Sequence, residues 1–125
     1  MLFVCVGNSG RSLMAERLFR RVAGNRHRVR SAGLQAGDAP EPAVLEVLRE
    51  VGIDASDHRP RQFDDEALSW ADVAVTLCEA QCPATPGVRQ IHVVFDDPYG
   101  RPLEEVRAIR DRIEAGVTSL AAELR

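Results

Sequence analysis

Residues 1–14 read Met1-Leu2-Phe3-Val4-Cys5-Val6-Gly7-Asn8-Ser9-Gly10-Arg11-Ser12-Leu13-Met14. An apolar run from Met1 to Val6 stops at Gly7-Asn8-Ser9-Gly10. From Ser12 onward Leu13, Met14, Leu18, Phe19 and Val22 recur at helical spacing. The pattern predicts a strand, a tight loop and a helix in that order, the opening of an α/β unit.

The rest of the chain repeats that alternation. Gly24-Asn25 ends the first helix, and residues 28–32 form a second short strand candidate before the Gly- and Pro-rich loop 33–42. A second helix is predicted over 41–51, with Ala43, Val44, Val47, Leu48 and Val51 on one face and Gly52 as its stop. Residues 54–69 are polar, carry the turn-prone Arg59-Pro60-Arg61 and hold a short helix over 64–70. Strands are predicted over 73–77 and 89–95. A long amphipathic helix over 103–124 follows, with Val106, Ile109, Ile113, Val117 and Leu120 on its apolar face. Short strands alternating with helices predict a parallel sheet covered by helices on both faces, with the ligand site at the carboxyl ends of the strands.

Composition bounds the function. The chain has 125 residues and 13.7 kDa, 45% of them apolar and 28% charged, which fits one domain over 1–125 and excludes a disordered or fibrous chain. A net charge of -3 and a pI near 5.6 point to neither nucleic acid nor an anionic membrane surface as partner. All 16 basic residues are arginine, which removes the Walker A phosphate loop and Schiff-base chemistry. Apolar runs are short and no secretory leader is legible, so a cytoplasmic protein is expected. Cysteines at 5, 78 and 82 are odd in number and do not make a secreted disulfide framework; in such a setting thiols are catalytic or redox-active.

Cys5 and Arg11 stand six positions apart on the strand-to-helix loop. Loop amides from Val6, Gly7, Asn8, Ser9 and Gly10, with the helix N-terminus, would converge on a tetrahedral anion, and the Arg11 guanidinium would fork onto two of its oxygens. The same field stabilises a thiolate, so Cys5 is expected as the nucleophile. Ser12 is placed to donate to that thiolate and Asn8 to hold the loop. Gly-Asn-Ser-Gly misses the G-x-S-x-G elbow, which sets Ser9 aside as a hydrolase nucleophile. No metal site is expected, because Cys78 and Cys82 lack a second ligand pair and His27, His58 and His92 show no ligand spacing. The three histidines read as surface or strand packing, and the Arg20-Arg21 and Arg26-Arg28-Arg30 clusters as solvated faces.

The loop Cys5 to Ser12 with Leu13-Met14-Ala15-Glu16 resembles the signature of the low-molecular-weight protein tyrosine phosphatases and of their relatives, the thioredoxin-coupled arsenate reductases. Ser31-Ala32-Gly33, Gly52-Ile53-Asp54 and His58-Arg59 resemble segments of both branches. The resemblance spans nearly the whole chain. It implies a flavodoxin-like three-layer α/β fold with a four-stranded parallel sheet of order 2-1-3-4.

Val75-Thr76-Leu77-Cys78-Glu79-Ala80-Gln81-Cys82-Pro83 resembles the reductase branch, where two further cysteines after the third strand relay a disulfide. The resemblance implies arsenate reduction through a Cys5 adduct. A Cys5–Cys78 disulfide would form next, then Cys78–Cys82, which thioredoxin or a similar external dithiol reduces; no tightly bound cofactor is implied. Asp97 before Pro98 is implied as the general acid of both branches, and Tyr99 is phosphatase-like. Two departures mark the chain: Gly10 stands where many reductases carry Cys, and Cys78 and Cys82 are closer together than usual. The alternative reading is a phosphotyrosine phosphatase acting through a cysteinyl-phosphate, with Cys78 and Cys82 as bystanders. A third is a non-catalytic phosphate-binding or thiol-sensing module.

Overall fold

A computed structural model describes residues 1–80 and 85–124. Four strands, β1 (Leu2–Cys5), β2 (Arg30–Gly33), β3 (Val73–Thr76) and β4 (Arg89–His92), alternate with helices α1 (Arg11–Ala23), α2 (Pro42–Glu50), α3 (Asp65–Trp70) and α4 (Leu103–Glu123). All strand pairs are parallel and the order is β2-β1-β3-β4, with Val4 opposite Ala32 on one side and Thr76 on the other. The expected α/β class and strand order are those observed.

Alternation along β1 sends Phe3 to one face of the sheet and Leu2 and Val4 to the other. On the first face Phe3 and Val75 pack with Leu13, Leu18 and Phe19 of α1, Val44 and Leu48 of α2, and Ile109 and Ile113 of α4. The Phe3 and Phe19 rings meet edge to face at 5.6 Å between centroids. On the second face Leu2, Val4, Ala32 and Ala74 are covered by Ala67 and Leu68 of α3. Helices therefore cover both faces, but unequally: three on one, one short helix on the other. Burying side chains of this size stabilises the fold by roughly 1.5–3 kcal/mol each. Among the described residues no helix is long and apolar enough to cross a membrane.

Element ends differ from the expectation where tertiary contacts decide them. β4 stops at His92 although apolar character continues through Val93, Val94 and Phe95. It is the sheet edge, and Val93 and Val94 are exposed. β2 runs on to Gly33 instead of stopping at 32. The Gly33 amide donates to the Arg61 carbonyl (2.8 Å), its carbonyl accepts from Phe63, and Cys5 is its partner on β1. A Cβ at Gly33 would lie 2.7–2.8 Å from backbone atoms of Val6, Gly7 and Asn8, so only glycine lets β2 support the loop so closely.

Candidate active site

β1 delivers Cys5 to the carboxyl edge of the sheet and α1 begins at Arg11, leaving residues 6–10 to turn the chain. The carbonyls of Cys5, Val6, Gly7 and Ser9 accept from the amides of Leu34, Gln35, Gly37 and Glu41 at 2.8–3.1 Å. In a planar trans peptide the following N–H points opposite to its carbonyl. With those carbonyls turned to the 34–41 segment, the amides of Val6, Gly7, Asn8 and Gly10 turn the other way. At α1 Gly10 occupies the N-cap without a side-chain cap, so the first-turn amides add to this electropositive cradle.

Asn8 pins the turn. Its φ is 55°, a left-handed conformation that asparagine tolerates better than most residues, and it is fully buried. Its Oδ1 accepts from the Arg61 amide (2.8 Å), its carbonyl accepts from His58 Nε2 (2.8 Å), and its Nδ2 donates to Ser12 Oγ (2.8 Å). Ser12 Oγ lies 2.9 Å from Cys5 Sγ. With one Ser12 lone pair taken by Asn8, the hydroxyl hydrogen is free to face the sulfur, which suits a thiolate. Asn8 and Ser12 thus act on the sulfur and the loop from behind; their side chains do not line the pocket in front.

That pocket is a cavity of about 290 Å³ whose walls include Cys5, Gly7, Gly10, Arg11, Asp97 and Tyr99. Arg11 is buried, donates through Nη1 to the Phe95 carbonyl (3.1 Å) and faces Asp97 Oδ2 at 3.9 Å. The Asp97 side chain is 61% exposed and accepts from the Tyr99 amide (3.0 Å) through Oδ1, so its other oxygen stands at the pocket mouth. Asp96 instead pairs with Arg112 on the surface, at 3.8 Å.

Cys78 follows β3, the neighbour of β1, and is buried. Burial pushes its thiol above the ordinary cysteine value, while a hydrogen bond with the Ala80 backbone and the Arg11 charge pull it back. The Cys78 carbonyl accepts from His92 Nε2 at 2.6 Å. A second cavity runs past Cys78 and shares Val6, Arg11 and Asp97 with the first. Cys82 lies outside the described residues. Among the described residues no group of three His, Cys, Asp or Glu side chains is placed to hold a metal ion.

Two residues escaped the sequence reading. His58 is buried against the loop and does not lie on the surface; burial holds its ring below the ordinary histidine value, opposed by the Asn8 bond and the Glu16 charge. The His58-Arg59 pair was visible only as a family-like segment. Glu41, expected merely to open α2, lines the pocket in front of Cys5. Its separation in sequence from Cys5 and Asp97 left no signal. Of the arginine clusters, the exposed Arg20 and Arg21 pair with the buried Glu16 (3.5 Å) and with Glu114 (3.0 Å).

A strand-end cysteine, an amide cradle and a helix-start arginine thus meet around one pocket at the carboxyl edge of a parallel α/β sheet. The chain belongs to the low molecular weight phosphotyrosine protein phosphatase family, whose description it matches over residues 1–125. An arsenate reductase of Brevibacillus brevis is 41% identical over 123 residues, covering 95% of this chain and 91% of the relative. The thioredoxin-dependent arsenate reductase of Corynebacterium glutamicum superposes with a TM-score of 0.84 at 32% identity, covering 98% of this chain and 59% of that one. A low molecular weight protein tyrosine phosphatase from T. tengcongensis superposes equally, with a TM-score of 0.84 at 30% identity and coverage of 98% and 97%.

Proposed function

We propose that the protein is a thioredoxin-coupled arsenate reductase, a single domain over residues 1–125 working in the cytoplasm. The observation that carries this reading is a second thiol, Cys78, one strand over from Cys5 and in a cavity that adjoins the anion pocket. Arsenate sits with its oxygens on the loop amides and the Arg11 fork. Cys5 Sγ attacks arsenic(V), and Asp97 gives a proton to the oxygen that leaves as water. Cys78 then attacks Cys5 Sγ; the electron pair of the sulfur–arsenic bond passes to arsenic, which departs as arsenite(III), and a Cys5–Cys78 disulfide remains. Cys82 attacks Cys78, frees Cys5 and leaves Cys78–Cys82 for an external dithiol to reduce. Burial disfavours the Cys78 thiolate that attacks Cys5.

A second reading is supported by the exposed Tyr99 on the pocket wall, a ring placed to meet an aryl group beyond the oxyanion. In this phosphatase reading water hydrolyses a cysteinyl-phosphate after Asp97 protonates the leaving phenolate. The two readings share every step up to the adduct and part at Cys82. Cys82→Ser should abolish multiple-turnover arsenate reduction with thioredoxin, its reductase and NADPH while sparing aryl phosphate hydrolysis. Undiminished arsenate turnover by that variant would remove the relay.

A further inference from the structure

Glu41 stands at the N-cap of α2 with extended backbone, yet its side chain caps nothing there. Its amide donates to the Ser9 carbonyl (3.1 Å), which ties the residue to the anion loop. The carboxyl reaches over Gly10: a Cβ on that glycine would overlap Glu41 Oε2 and crowd Pro98 Cγ at 3.0 Å. The room a side chain at position 10 would take is therefore held by a carboxyl that comes from a different element. The charged and titratable groups lining the pocket with it are Cys5 from β1, Arg11 from α1, and Asp97 and Tyr99 from the segment between β4 and α4. On its own helix Glu46 is engaged with Arg49 (2.9 Å) on the surface.

We propose that Glu41 is a specificity-determining residue of this pocket, a proton-dependent gate on the anion: neutral, it donates a hydrogen bond to a bound tetrahedral oxyanion, and ionised, it repels it. Burial pushes the carboxyl up to about 6, the Asp97 charge adds to that, and Arg11 opposes it. A bound dianion raises it further, so binding near neutral pH draws a proton from solution onto Glu41. The inference rests on the reading that this pocket takes an oxyanion.

The test is sulfate affinity by calorimetry from pH 5 to pH 8 in full-length protein. Sulfate keeps its charge throughout, and a Cys5→Ser background removes the thiol's own titration. Sulfate should weaken with rising pH by about tenfold for each unit that it raises the Glu41 pKa. In Glu41→Gln the pH dependence should vanish and affinity at pH 8 should approach the pH 5 value. Glu41→Asp should restore a pH dependence, an outcome a merely structural role would not produce. Should Glu41→Gln fail to fold, Glu41→Ala, which removes the same carboxyl, takes its place, and its pH dependence should vanish likewise. An unchanged pH profile in Glu41→Gln overturns the gate and leaves the oxyanion reading standing; no sulfate binding by either protein at any pH overturns that reading and the gate with it.

Discussion

At the scale of single residues the site turns on how Cys5 is surrounded. The Ser12 hydroxyl sits 2.9 Å from its sulfur, and Asn8 holds that hydroxyl in place. A hydrogen bond to a charged group contributes roughly 1.5–3 kcal/mol, so Ser12→Ala should lower turnover on arsenate or aryl phosphate about 10- to 100-fold, with the circular dichroism spectrum unchanged. Asp97→Asn keeps the turn that accepts the Tyr99 amide but removes the transferable proton. Pre-steady-state kinetics should show adduct formation slowed by about 10²–10⁴-fold. The residues from Cys5 to Ser12 were readable from the sequence because they are contiguous, so a strand-loop-helix pattern fixes where each one stands. Glu41 and His58 were not. Each reaches the loop from a separate segment, and no local periodicity records that approach.

At the scale of elements, the loop keeps its shape because β2 and the 34–41 segment hold its carbonyls. Gly33 is the tightest joint: any side chain there would strike the backbone of residues 6–8. Gly33→Ala should therefore leave a folded protein whose kcat/KM falls at least about tenfold, because misplacing the amides weakens every oxyanion contact at once. A melting curve beside the kinetics distinguishes this from unfolding. Helix α4 plays the opposite part. Ile113 is fully buried in the core that α4 shares with α1, α2 and the sheet and lines neither cavity of the site, so Ile113→Ala should cost about 2–5 kcal/mol in urea denaturation and leave turnover of the folded fraction intact. The 3.6-residue period of α4 made this helix plain in the sequence. The end of β4 was obscured because Val93, Val94 and Phe95 carry the apolar character of a buried strand at the sheet edge.

For the whole molecule, two site groups pull stability in opposite directions with pH. The folded state holds His58 below its ordinary 6.5, so as pH falls through that value the unfolded chain binds the proton first and stability declines. Glu41 is held at about 6 against an ordinary 4.5, so between those values the folded chain keeps the extra proton and raising the pH removes stability. Its ionised carboxylate at neutral pH then costs on the order of 1 kcal/mol, allowing for its half-exposed setting. Glu41→Gln should raise the urea midpoint at pH 7.5 and leave it unchanged near pH 4, a stabilisation gained at the expense of the anion gate. The parallel order of the sheet explains why these distant residues meet: it brings the ends of β1, β2 and β3 to one rim, and with them Cys5, the segment leading to Glu41, and Cys78.

The most direct test is a single turnover. Fully reduced protein is mixed with arsenate in the absence of any other thiol, and arsenite and intact mass are followed together. The disulfide relay predicts one arsenite per chain, a protein lighter by its two thiol hydrogens, a Cys78–Cys82 bridge in the peptide map, and none of these in Cys5→Ser. Arsenite formed equally well by Cys5→Ser, or a wild-type chain that yields neither arsenite nor a mass change, would contradict it.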